Sequence, residues 1–80
     1  RACDIVIIFG GGIGTLNEFT IAYDEDKVIG VLVGSGGLAD RIKEITSLST
    51  KPRGKVLFNS DPKELVDMCL AALNKVDELT

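Results

Sequence analysis

The strongest constraint on this chain is a junction near its start. An unbroken apolar run, Ile5-Val6-Ile7-Ile8-Phe9, meets a glycine bend, Gly10-Gly11-Gly12-Ile13-Gly14-Thr15. A segment with helical spacing follows, carrying Leu16, Phe19 and Tyr23 on one side with Ala22 beside them. Strand, glycine turn and helix start in immediate succession form an anion cradle. Glycines let backbone approach a ligand with no Cβ in the way. A helix start aims free N–H groups and a partial positive charge at the same point. The junction therefore points to a bound phosphate, most readily that of a nucleotide.

The remaining pattern repeats this unit. Residues 4–9 read as a strand buried on both faces, because β-branched residues run on without polar alternation. Helix is expected over 15–23, then a charged connection over 24–27 and a second apolar strand over 28–33. A second glycine bend, Gly34-Ser35-Gly36-Gly37, leads into a helix over 38–48 with Leu38, Ile42 and Ile45 on one face. A polar loop over 49–54 holds Pro52, and a short third strand spans 55–59. Ser60-Asp61-Pro62 is a helix-start signal, with an N-cap candidate ahead of a proline. Glu64 stands three residues after Asp61, the spacing of a capping box. Leu65, Met68, Cys69, Ala72, Leu73 and Val76 make the last helix amphipathic to about residue 78, a stripe that reads as core.

This βαβαβα order implies an α/β fold with a parallel sheet. Right-handed crossovers between neighbouring strands place their helices on one face. The first strand nevertheless reads as buried on both faces, so something outside the chain is expected to cover the other. The fold expected is a Rossmann-like three-layer α/β domain. Residues 1–80 would form one partial nucleotide-binding domain, the carboxyl-terminal half of a doubly wound unit. The opening at Arg1, with a strand close behind it, fits a fragment or processed chain whose other half precedes it. Such a fragment should be unstable alone or associate, and a homo-oligomer is expected.

Composition narrows the partners. With 12 acidic against 9 basic residues the net charge is −3, and no basic stripe with interleaved aromatics is present, which argues against nucleic acid. No run approaches the ~18 apolar residues of a membrane span. Cys3 and Cys69 lack metal-ligand spacing and the chain has no histidine, so a metal site is not expected. Two reduced, buried thiols fit a cytoplasmic protein.

The glycine turn matches neither of two common phosphate motifs. Thr15 and Asn17 stand where a G-x-G-x-x-G dinucleotide fingerprint needs its third glycine. No acid ends the second strand to grip a ribose, and no lysine follows the glycines as in a P-loop. Thr15 and Glu18 have the spacing of a capping box. The same pair could instead face a ligand, Thr15 as a phosphate donor and Glu18 as acid, base or sugar-hydroxyl acceptor. Both could hold in turn, the cap breaking when ligand arrives. Gly34, Ser35 and Gly36 end the second strand and share the first turn's crevice, where parallel sheets bind ligands. A tight turn alone would equally explain those glycines. Asn59 and Ser60 end the third strand on the same side, with a cap role for Ser60 or Asp61 favoured.

The string Gly10-Gly11-Gly12-Ile13-Gly14-Thr15-Leu16-Asn17-Glu18 resembles the P-G-G-x-G-T-x-x-E signature of the Lonely Guy (LOG) proteins. These are also known as lysine decarboxylase-like, and they act as nucleoside-monophosphate phosphoribohydrolases. The resemblance is closer to relatives with a triple glycine. These are the molybdenum-cofactor carrier proteins and an uncharacterised group of Rossmann-fold nucleotide-binding proteins. It extends through Gly30-Val31-Leu32-Val33-Gly34-Ser35-Gly36-Gly37-Leu38-Ala39-Asp40. It implies that Gly11, Gly12, Gly14 and Thr15 hold a phosphate and that Glu18 is the catalytic acid. Gly10 would join the cradle, although it stands in the place of the family's proline. The hydrolases also use an arginine upstream of this strand, and Arg1 lies too close to the strand for that part. The ligand implied is a nucleotide such as AMP or a molybdenum-cofactor-like molecule. Three functions are therefore expected in order. The first is phosphate-anchored nucleotide or cofactor binding, the second N-glycosidic cleavage of a nucleoside 5′-monophosphate, and the third a non-catalytic assembly module.

Overall fold

The structure, a computed structural model, describes residues 5–48 and 55–79, with side chains over 5–48 and 56–74. Cys3, Asp4, the loop over 49–54 and the side chain of Val76 lie outside the described residues. Three strands, β1 (Ile5–Ile8), β2 (Val28–Leu32) and β3 (Lys55–Asn59), form one parallel sheet in the order β1-β2-β3. Ile5 pairs with Val28 and Ile8 with Val31, while Val28 pairs with Lys55 and Leu32 with Asn59. Helix α1 (Ile13–Asp24) joins the first two strands. A 3-10 segment (Gly37–Arg41) and the short helix α2 (Ile42–Thr46) join the second and third. Helix α3 (Pro62–Leu79) follows the last.

Strand alternation sorts the side chains into two cores. Val6, Ile8, Ile29, Val31, Val56 and Phe58 point to one face, under Phe19, Ala22, Ala39 and Ile42 of the connecting helices. The Phe19 and Tyr23 rings, one helical turn apart, lie with centroids 5.6 Å apart. Ile5, Ile7, Val28, Leu32 and Leu57 point to the other face, under Leu65 and Cys69 of α3. Each fully buried side chain of this kind contributes about 1.5–3 kcal/mol. Helix α3 comes close enough that a Cβ on Gly30, in mid-sheet, would stand 2.6 Å from Cys69 Sγ. Burial pushes the Cys69 thiol above its ordinary pKa, so this cysteine behaves as a core residue.

The parallel α/β architecture matches the expectation, but the helix placement does not. All of the chain's helices were expected on one face, leaving the second to something outside it. Instead α3 supplies the second layer itself. The handedness rule binds only a helix that connects two parallel strands. Helix α3 leads to no further described strand and is free to cross over. The three-layer sandwich is thus present within these residues. At the β1 edge, Ile5, Val6 and Ile7 remain half-buried.

Helix boundaries shift for local reasons. The second helix, expected as one piece, opens as a 3-10 segment, yet Leu38, Ile42 and Ile45 still face one core. The start of α3 is capped by Asp61, whose Oδ1 accepts from the Lys63 N–H at 3.0 Å, with Pro62 at the first helical position. The reciprocal capping-box bond is replaced by a relay. Asn59 Oδ1 accepts the Asp61 N–H at 2.8 Å, and Asn59 Nδ2 donates to Glu64 Oε1 at 3.3 Å. Among the described residues no helix is long and apolar enough to cross a membrane.

Candidate functional site

The two glycine turns meet at the carboxyl ends of β1 and β2. Their backbones are joined directly. The N–H groups of Leu38 and Ala39 donate to the carbonyls of Gly11 at 2.9 Å and Gly10 at 3.0 Å. The Gly10 N–H donates to Ser35 Oγ at 2.9 Å, and that hydroxyl donates to the Leu32 carbonyl at 2.6 Å. Gly37, at φ +55°, is the close-packed point: a Cβ there would stand 2.5 Å from the Gly11 carbonyl oxygen.

The second turn is satisfied from within the chain. Asp40 Oδ1 accepts from the Gly34 N–H at 2.7 Å and Oδ2 from the Gly36 N–H at 3.0 Å. Successive N–H groups in such a bend form an anion-binding concavity. Here the anion is the chain's own carboxylate. The glycines at 34 and 36 and the hydroxyl of Ser35 are brought to the crevice as expected, with these polar groups engaged inside the protein.

The first turn is built differently. Helix α1 begins at Ile13, two residues before the expected start, and its N-cap is Gly12. Thr15 therefore lies inside the first turn and Glu18 beyond it, so the two make no capping box; no side chain caps this helix. The first-turn N–H groups of Ile13, Gly14 and Thr15 are left without a capping oxygen, the arrangement that binds anions. Gly10 (φ +55°) and Gly11 (φ +94°) have left-handed backbones that the turn itself requires. Gly12 and Gly14 are a different case. Neither has a positive φ, and a Cβ on either would meet nothing within 4 Å. Glycine in a helix costs about 0.5–1 kcal/mol relative to alanine, so the packing gives no reason for Gly14. Open space over bare backbone is what a ligand requires. Thr15 is half-buried and packs beneath Gly11, where a Cβ would stand 2.5 Å from its Oγ1.

Two clefts lie along α1, one at its start and one beside its middle and far end. One, of about 440 Å³, is lined by Gly11, Gly12, Ile13, Leu16 and Arg41 among others. The other, of about 580 Å³, lies against β1 and is lined by Ile5, Val6, Glu18 and Ile21, with Lys27. Glu18 is exposed. It lines the cleft against β1, whereas Arg41 lines the other. Sequence reasoning passed over three residues here. Arg41 reaches the cleft only because the two turns are joined. Phe9, which reads as a buried strand residue, and Ile13, which reads as part of the glycine bend, are apolar but 67% and 83% exposed beside the glycines.

The family model of the SLOG cluster4 family matches residues 1–66. No curated protein and no solved structure matches the chain. SLOG proteins are related to the LOG-like Rossmann-type folds, in accord with the parallel sheet and the glycine turn. Membership points to nucleotide-related binding or processing in the broad sense. On its sheet, its glycine junction and a match over most of its length, the chain belongs to the SLOG cluster4 family.

Proposed function

We propose that this protein binds a nucleotide or nucleotide-like cofactor through its phosphate, seated on Gly12, Gly14 and Thr15 at the start of α1. The observation that carries the reading is the uncapped helix start beneath two glycines that the packing does not need. Gly10 and Gly11 shape the turn. Gly34, Ser35 and Gly36 buttress it from behind, with Asp40 and the Leu32 carbonyl holding them. Calorimetric titration of the full chain with AMP and adenosine tests the reading. AMP is expected to bind more tightly, and equal affinities would refute it.

A second reading has an observation of its own. Glu18 serves no cap, is exposed, and stands about one helical turn along α1 from Thr15 of the phosphate seat. An acid there can stabilise an oxocarbenium-like ribose or position water, so that the protein cleaves the N-glycosidic bond of a nucleoside 5′-monophosphate. Release of free adenine from AMP, followed by chromatography, separates this hydrolase from a carrier of the molybdenum-cofactor type.

A further inference from the structure

We propose that Arg41 makes this site select a phosphate monoester over the corresponding neutral nucleoside. The proposal rests on phosphate binding at the start of α1. The helix start alone offers N–H donors and a partial charge of roughly +0.5. That is a poor match for a phosphate monoester carrying up to two negative charges. A guanidinium adds a full positive charge and a planar fork of donors that fits phosphate oxygens in pairs.

Arg41 is delivered to that place by backbone. The bonds from Leu38 and Ala39 to the Gly11 and Gly10 carbonyls clamp the 3-10 segment against the glycine turn. Its last residue, Arg41, then lines the same cleft as Gly11, Gly12 and Ile13. The neighbouring cation on this stretch is directed elsewhere: Lys43 Nζ lies over the Phe58 ring, 5.5 Å from its centroid.

The guanidinium is also available. It pairs with Glu44 at 3.3 Å, and the two side chains are 73% and 71% exposed. Such an exposed pair is weak and screened by salt. A phosphate can therefore displace Glu44, which acts as a competitor for the arginine when the site is empty.

The test uses the full chain with three probes, AMP, adenosine and inorganic phosphate, following backbone amide shifts of Gly14 and Thr15 by NMR. AMP and inorganic phosphate should shift these amides. Arg41→Gln should weaken both by about tenfold while leaving adenosine unchanged. Arg41→Lys should fall between, since it keeps charge but loses the fork. Glu44→Gln should tighten AMP by roughly twofold, and only at low salt. Unchanged thermal melts would show that the variants fold. If Arg41→Gln keeps the wild-type preference for AMP over adenosine, the role of Arg41 is refuted and phosphate binding at the turn stands. If no phosphate-bearing probe shifts the amides, both fall together.

Discussion

The two glycine turns look alike in sequence and sit side by side, yet they are opposite in chemistry. The second is closed: its N–H groups hold Asp40 and its serine holds Gly10 and Leu32. The first is open: its helix starts on a glycine, Gly12, with no side-chain cap, and neither Gly12 nor Gly14 lacks its Cβ for a packing reason. Glycine content alone does not distinguish a ligand cradle from a structural bend. What distinguishes them is where the donors go.

The sharpest way to break the comparison is Gly37→Ala. The new Cβ would stand 2.5 Å from the Gly11 carbonyl oxygen and 3.0 Å from the Gly10 carbon, at a left-handed φ. Overpacking and backbone strain together should cost about 2–4 kcal/mol, read as a lower urea midpoint, with ligand binding lost alongside. A native midpoint would mean that the turns are not in rigid contact.

Asp40→Ala removes the internal anion from the second turn. Bonds to a charged acceptor contribute about 1.5–3 kcal/mol when sheltered. Asp40 is exposed, so about 1–2 kcal/mol is expected here by the same principle. Thermal denaturation would measure it. Because the second turn buttresses the first, binding should weaken through that loss of order. Full stability in this variant would mean that the closed turn does not depend on its carboxylate.

Gly14→Ala tests the open turn from the other direction. Its φ is not left-handed and its surroundings are empty, so alanine should raise stability by about 0.5–1 kcal/mol. The same methyl group should obstruct the phosphate and reduce AMP affinity in the calorimeter. A change that stabilises the fold while removing binding is hard to explain unless the glycine is kept for the ligand. Stabilisation with unchanged affinity would place the phosphate elsewhere.

Much of this was legible beforehand, and the failures share a cause. The apolar runs and turn residues announced each strand, and Asp61-Pro62 announced the start of α3 because a cap is a local side-chain signal. Helix α1 was misplaced by two residues because its cap is Gly12, which has no side chain to announce it, while Thr15 and Glu18 imitated a capping box. The stripe on α3 showed which side of the helix is buried but not which face of the sheet buries it. Arg41 carried no signal in sequence, because its position depends on backbone bonds between segments 27 or more residues apart, 38 to 11 and 39 to 10.

The smallest effect on stability is expected at Glu18, and there the absence of an effect is informative. A capping acid should cost roughly 0.5–2 kcal/mol when replaced by alanine. Glu18 lies beyond the first turn of α1, is exposed, and caps nothing. Alanine also has the better helix propensity. Glu18→Ala should therefore leave the melting temperature within the range of about 0.5 kcal/mol typical of surface changes. Its effect on function separates the readings of the open turn. If Glu18 serves the ribose, adenine release from AMP should fall by two orders of magnitude or about that, as for loss of a general acid–base group. If the protein is a carrier, there is no release to lose, and AMP affinity should hold or rise slightly as a negative charge leaves the neighbourhood of the phosphate. A large drop in stability would return Glu18 to the role of a cap and would contradict the helix start at Ile13.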